Sequence, residues 1–185
     1  MARLATGSVI EPIELIALDG APVPVPGPRR VHLQFRRFAG CPICSSHLHG
    51  FAQRHAEIAA AGITEVVFFH SAAEHLQGYQ TQLPFAVIAD PDRVYYRRFG
   101  VEQGVRSLAD PRALAAAVRS GRRWMAHRGD PDWAGVGDND GTTHLGLPAD
   151  FLVDPDGTLV GVHYGGHADD QWSVAELLEL VTALP

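Results

Sequence analysis

The two cysteines of the chain, Cys41 and Cys44, lie three residues apart, directly after a predicted strand and at the start of a predicted helix. Val31, Leu33 and Phe35 alternate with polar residues, as in a strand with one apolar face. Beyond the cysteines, apolar residues recur at helical spacing. A Cys-x-x-Cys pair at such a junction is typical of redox-active or metal-binding sites rather than of structural disulfides.

The position of Cys41 favours a reactive thiolate. We place Cys41 at the N-cap and Pro42 at the first helical position, where the missing N–H of proline costs nothing. The unpaired N–H groups and partial positive charge of a helix start stabilise a thiolate. We therefore predict Cys41 as an outer nucleophile and Cys44 as a more buried resolving cysteine. Three basic residues could add positive charge: Arg36, Arg37 and His47.

Two other uses of the cysteine pair stay open. The cysteines could be inert residues at a helix end. They could also help to hold zinc or copper, although a structural zinc site needs four ligands and the chain has one Cys pair. Histidines would have to supply the rest, and the candidates are His47, His49, His144, His163 and His167. We predict neither a metal nor another cofactor.

The remaining pattern predicts a mixed α/β sheet with helices on both faces. Two Ser-x-x-Glu capping boxes, Ser71/Glu74 and Ser173/Glu176, each predict a helix start. The proline-rich segment 22–28 predicts a turn. The predicted elements are strands at 15–18, 31–35, 65–69 and 85–89, helices at 48–61, 71–82, 93–99, 110–120 and 174–181, a loop at 122–145, and a hairpin of strands 151–153 and 158–162.

Length and charge bound the class of protein. The 185 residues predict a single domain, 1–185, with an N-terminal extension, 1–30, and an irregular insertion, 100–145. The net charge of −6 argues against nucleic acid or an anionic membrane as partner. No apolar run approaches the roughly 18 residues of a membrane span, and we find no secretory signal at the N-terminus, so we expect a cytoplasmic protein.

The strand–Cys41-Pro42-Ile43-Cys44–helix order, with Leu147-Pro148 ahead of a terminal hairpin and helix, resembles the thioredoxin fold. The segment 85–99 and the stretch 151–157 resemble peroxiredoxins. The chain is therefore similar to the peroxiredoxin-like branch of the alkyl hydroperoxide reductase/thiol-specific antioxidant (redoxin) family.

The resemblance has departures that bear on the chemistry. Where typical peroxiredoxins carry Pro and Thr or Ser before the reactive cysteine, this chain has Gln34 and Phe38. Their arginine is replaced by Pro148, and the buried acid of many thioredoxins is replaced by Phe35. In the family, the threonine hydroxyl and the arginine orient peroxide and activate the thiolate. The departures therefore favour disulfide exchange over fast peroxide reduction.

The resemblance implies a thiol:disulfide oxidoreductase that cycles Cys41 and Cys44. An external thioredoxin- or glutathione-type thiol would re-reduce the pair, and the substrate would be a disulfide or a peroxide. The alternative is a thiol peroxidase with Cys41 peroxidatic and Cys44 resolving. The predicted substrate-binding residues are Gly40, Pro42, Leu147 and Pro148, the last two by strand-like backbone pairing. Oligomeric state is left open.

Overall fold

A five-stranded mixed sheet forms the centre of the molecule. The computed structural model describes residues 3–77, 82–104, 110–126 and 142–184. The strand order is β5-β4-β3-β6-β7, in which β3 pairs parallel with β4 and antiparallel with β6. The strands are β3 (Arg30–Phe35), β4 (Ile63–Phe69), β5 (Ala86–Ala89), β6 (Ala149–Val153) and β7 (Leu159–Tyr164), and a separate antiparallel ribbon is made of β1 (Ile13–Ile16) and β2 (Pro22–Val25).

Helices cover both faces of the sheet, as predicted. The helices are α1 (Pro42–Gln53), α2 (His55–Ala60), α3 (Val94–Arg98), α4 (Pro111–Ala126) and α5 (Val174–Thr182). Helices α1, α2, α4 and α5 share one apolar core with the sheet, while α3 and the β1–β2 ribbon share the other. None of the helices in the described part of the chain is long and apolar enough to cross a membrane.

The central strand β3 is buried on both faces. Leu33 and Phe35 lie in the core on the α3 side. The polar residues of the alternation, His32 and Gln34, are also fully buried, because β3 is the middle strand and helices cover its second face. The predicted alternation is therefore present, but it does not separate core from solvent.

The first of the two predicted capping boxes is wrong. Ser71 is fully buried, and its hydroxyl accepts a 2.8 Å hydrogen bond from the N–H of Ala39. The short 3₁₀ helix Ala73–His75 begins after Ala72 without a side-chain cap. The hydroxyl of Ser71 thus bonds to a residue distant in sequence instead of capping the helix that follows it. Residues 78–81 of the predicted helix lie outside the described residues.

Two further boundaries are corrected. Helix α4 continues through Gly121 to Ala126, because a single glycine costs a helix only about 1 kcal/mol. The predicted loop 122–145 therefore begins as helix, and its residues 127–141 lie outside the described part. The segment Pro22–Val25, predicted as part of a turn, pairs with β1 instead, in a two-stranded ribbon whose edges tolerate proline.

The C-terminal predictions are confirmed. Strands β6 and β7 form the expected antiparallel hairpin, and β6 starts two residues earlier than predicted. Ser173 and Glu176 form the capping box that begins α5.

Candidate functional site

The loop after β3 and the first turn of α1 position the cysteine pair. The N–H of Cys41 donates to the carbonyl of Phe38 at 3.1 Å, which closes a turn just before the helix. Cys41 is the N-cap, with extended backbone, and Pro42 occupies the first turn. The local structure predicted around Cys41 is therefore confirmed.

The two sulfur atoms lie 2.8 Å apart, and Cys44 is placed to donate its S–H to Sγ of Cys41. This separation exceeds the 2.03–2.05 Å of a disulfide bond, so both cysteines are free thiols. The backbone N–H of Cys44 also points to Sγ of Cys41 at 3.4 Å. Both residues are fully buried, so the predicted difference in burial between an outer Cys41 and a more buried Cys44 is absent.

Arg37 supplies the positive charge beside Cys41. Its Nη1 lies 3.5 Å from Sγ of Cys41, and the residue is only 3% exposed. Burial raises the pKa of Cys41, but the hydrogen bond from Cys44, the Arg37 charge and the N–H groups of Cys44 and Ile43 outweigh it and lower the pKa to about 7. Burial and the contact with Cys41 raise the pKa of Cys44 well above its usual value.

The other two basic residues of the predicted site face elsewhere. Nη2 of Arg36 donates to Oδ1 of Asp150 and Oε1 of Gln34, each at 2.8 Å. His47 lies 3.3 Å from the same nitrogen. Burial and the Arg36 charge hold the pKa of His47 well below its ordinary value, so its ring is neutral. Among these three, the cation beside the thiols is therefore Arg37.

A buried ionic network underlies the site, and the sequence patterns did not reveal it. Asp150 is fully buried and accepts from Arg36, from Nε2 of His32 at 3.1 Å and from the N–H of Trp172 at 3.2 Å. Burial raises the pKa of Asp150, but the charges and hydrogen bonds of Arg36 and His32 hold it well below its usual range. The one sequence signal for it was a charged residue, Asp150, directly ahead of the apolar run 151–153.

The segment before β6 forms one wall of the site. The ring of His144 stacks on Phe38 with centroids 4.2 Å apart, and the His144 carbonyl accepts a hydrogen bond from Nη2 of Arg37. Gly146 packs closely here, because a β-carbon at this position would lie 3.0 Å from Nε2 of His70 and 3.6 Å from Cγ of Arg37. Arg37 thus joins Cys41 to the segment that leads into β6.

The predicted substrate-binding residues fall into two groups. Gly40 and Pro42 flank Cys41 in the chain and are half-buried. Leu147 and Pro148 are buried, and the peptide bond between them is not cis. The N–H of Leu147 donates to the backbone carbonyl of Glu102, and the carbonyl of Pro148 accepts from the backbone N–H of Gly165. Strand-like pairing with a substrate would therefore have to use other backbone groups of this segment.

The structure also bears on the metal-binding alternative. Within residues 3–77, 82–104, 110–126 and 142–184, no group of three or more His, Cys, Asp or Glu side chains is arranged to hold a metal ion. Two of the histidine candidates have other partners: His47 faces Arg36, and His163 bonds to Asp170 at 3.0 Å.

Comparisons with known proteins agree on fold and family. The model of the AhpC/TSA antioxidant enzyme family matches residues 50–167, a span that begins after the cysteine pair. A search of curated protein sequences gives no significant match. Among solved structures, peroxidoxin BcpB from Mycobacterium tuberculosis is 16% identical with a TM-score of 0.66, and the alignment covers 97% of both chains.

Two further structures share the fold. A cysteine-to-serine mutant of peroxiredoxin 6 from Arenicola marina is 14% identical with a TM-score of 0.68, over 97% of this chain and 73% of the other. A protein from Chlorobium tepidum, provisionally described as the thiol:disulfide interchange protein DsbE, is 18% identical with a TM-score of 0.60, over 97% of both chains. The mixed sheet flanked by helices is thus a thioredoxin-like fold, as predicted.

Proposed function

The chain belongs to the AhpC/TSA antioxidant enzyme family, and on that premise we propose that it is a thiol:disulfide oxidoreductase that cycles Cys41 and Cys44 between dithiol and disulfide. Membership makes it a redox enzyme. The choice of disulfide exchange rests on the cysteine pair itself, which the family match does not include.

The observation that carries the proposal is the unequal environment of two adjacent thiols. With a pKa of about 7, Cys41 is close to half ionised at neutral pH, whereas Cys44, with its raised pKa, stays protonated. The sulfur atoms are 2.8 Å apart, so bond formation between them needs little movement. One cysteine is thus prepared to attack and the other to resolve.

The reaction follows from this arrangement. The Cys41 thiolate attacks one sulfur of a substrate disulfide, forms a mixed disulfide and releases the first substrate thiolate. Cys44 then loses its proton and attacks Sγ of Cys41. This step forms the Cys41–Cys44 disulfide and releases the second substrate thiolate, and protons from solvent and from Cys44 neutralise the two products. Two electrons have passed from the protein to the substrate, and an external thiol returns them.

A peroxidase is the second candidate, and Arg37 favours it. The family arginine is replaced by Pro148, but the Arg37 guanidinium lies 3.5 Å from Cys41 and can stabilise both a thiolate and the negative charge that develops on a departing peroxide oxygen. Phe38, in contrast, has no hydroxyl to offer at the place of the family threonine. Arg37 therefore supports the peroxidase alternative, whereas the absence of a hydroxyl at Phe38 speaks against it.

Cysteine variants test the proposal. We expect Cys44→Ser to accumulate a mixed disulfide on Cys41 when it is mixed with oxidised glutathione, because the resolving step is lost. Mass spectrometry would detect the added glutathione. Cys41→Ser should show neither the adduct nor turnover. Undiminished thiol exchange by Cys41→Ser would refute the assignment of Cys41 as nucleophile.

A further inference from the structure

A polar cavity of about 210 Å³ lies between the beginning of α1 and the second half of α4. Its walls come from both helices: α1 contributes Ile43, Ser46 and His47, and α4 contributes Arg119, Ser120 and Arg123. Helix α4 packs on α1 through its buried face, which includes Ala113, Ala116 and Ser120. This packing turns Arg119 and Arg123, one helical turn apart, toward the first turns of α1.

The described residues that line the cavity carry a net positive charge, on a chain whose overall charge is −6. Asp169, which also lines it, pairs with Arg119 at 3.0 Å and cancels one of the two arginine charges. Arg123 makes no ion pair with the residues that the structure describes. The ring of His47 is neutral, because its pKa lies well below the ordinary value. Among the described residues that line the cavity there are therefore one guanidinium without an acidic partner and two serines, and these groups are hydrogen-bond donors that suit an anion.

The cavity adjoins the first turn of α1. Ile43 lies between Pro42 and Cys44, so one wall of the cavity belongs to the helical turn that carries the cysteine pair, although neither cysteine lines the cavity itself. Ser46 follows less than one helical turn later. A group bound in the cavity therefore lies against the helical turn that carries the reactive pair. The volume is below the roughly 300–1,000 Å³ typical of whole-ligand pockets, so it suits one small anionic group of a larger molecule.

We propose that this cavity binds the carboxylate of a low-molecular-weight thiol that reduces the Cys41–Cys44 disulfide. The inference rests on the proposed function and names the chemical class of its reductant. The ligand thiolate attacks one sulfur of the protein disulfide, forms a mixed disulfide and releases the other cysteine as a thiolate, which takes up a proton from solvent. A second ligand thiol attacks the mixed disulfide, which yields the reduced pair and one molecule of ligand disulfide.

Pairing charged and uncharged thiols tests the proposal. The oxidised protein would be reduced with glutathione, with its diethyl ester, which lacks both carboxylates, and with the neutral dithiothreitol. We expect Arg123→Gln to slow reduction by glutathione about tenfold, because one charge-assisted hydrogen bond to the carboxylate is lost. The rates with the ester and with dithiothreitol should stay unchanged. Arg122→Gln is the matched control, because Arg122 is the exposed neighbour on α4, carries the same charge and does not line the cavity.

The outcomes distinguish a failure of the carboxylate site from a failure of the proposed dithiol function. Equal rates with glutathione in Arg123→Gln and wild type, or an equal loss in Arg122→Gln, would overturn the carboxylate site while leaving the dithiol function intact. If dithiothreitol fails to regenerate an active pair in the wild type, the proposed function fails as well. A selective loss with glutathione in Arg123→Gln supports the site.

Discussion

Burial alone would keep both thiols protonated, because a thiolate loses its hydration in an apolar interior. At Cys41 this effect is outweighed by groups that the fold places around one sulfur: the Cys44 thiol, the Arg37 guanidinium and two backbone N–H groups of the first turn of α1. The sequence predicted the helix-start contribution. It could not select Arg37 over Arg36, because the two neighbours leave the end of β3 on opposite sides and only one reaches the thiol.

We expect Arg37→Met to raise the pKa of Cys41 from about 7 by one unit or more, because a buried opposite charge within reach is lost. Thiolate absorbance near 240 nm, followed against pH, would locate the midpoint. Arg122→Met removes the same charge from the exposed side of α4 and serves as the control. A midpoint that stays at the wild-type value in Arg37→Met would mean that Arg37 does not stabilise the thiolate.

At the scale of elements, identical motifs had different outcomes. Ser173 and Ser71 both stand three residues before a glutamate. Ser173 lies on the surface, where Glu176 is its best partner, and the box forms. Ser71 is buried just after β4, where its hydroxyl oxygen accepts a hydrogen bond from the N–H of Ala39 in the loop before Cys41. Local spacing predicts a cap only where no tertiary partner competes.

The variant Ser173→Ala should lower the free energy of unfolding by about 1 kcal/mol, since the first turn of α5 loses its side-chain cap. Denaturant unfolding would measure the loss. We also expect the Cys41 titration to remain at its wild-type midpoint. An unchanged unfolding midpoint would show that solvent satisfies this helix end equally well.

At the scale of the whole molecule, the alternation of strands and helices was predictable because each element has its own hydrophobic period. The pairing of distant elements was not. Asp150 lies opposite Gln34 in the register of β6 with β3, and that register brings it to Arg36 across more than a hundred residues of chain. A buried ion pair of this kind depends on the finished sheet, and no local pattern encodes it.

Removing one partner of this buried pair should be costly. We expect Asp150→Asn to lower the free energy of unfolding by about 3–5 kcal/mol, because Arg36 is left as a buried charge without its counterion. Asp154→Asn is the control: Asp154 pairs with Arg30 at 2.6 Å, but both side chains are partly exposed, so we expect a loss of about 1 kcal/mol or less. Equal losses in the two variants would show that burial does not decide the cost.

The same pair predicts acid sensitivity. The pKa of Asp150 is lower in the folded chain than the value of about 3.9 expected for the unfolded chain. Its contribution to stability is therefore fully present above about pH 4 and is lost as the pH falls further toward the folded value. Unfolding measured from pH 6 to pH 2 should show this decline in the wild type. In Asp150→Asn the free energy of unfolding should fall less steeply with pH, because up to one fewer proton is taken up on unfolding. An identical slope in the two proteins would contradict the assignment.

The reaction of the reduced protein with two oxidants tests the central claim most directly. Stopped-flow rates with oxidised glutathione and with hydrogen peroxide would be compared with those of free cysteine, and mass spectrometry would identify the product. The account predicts rapid exchange with the disulfide, a peroxide rate near that of free cysteine, and an intramolecular Cys41–Cys44 disulfide. A peroxide rate far above that of free cysteine, with slow disulfide exchange, would contradict it and make the protein a peroxidase activated by Arg37.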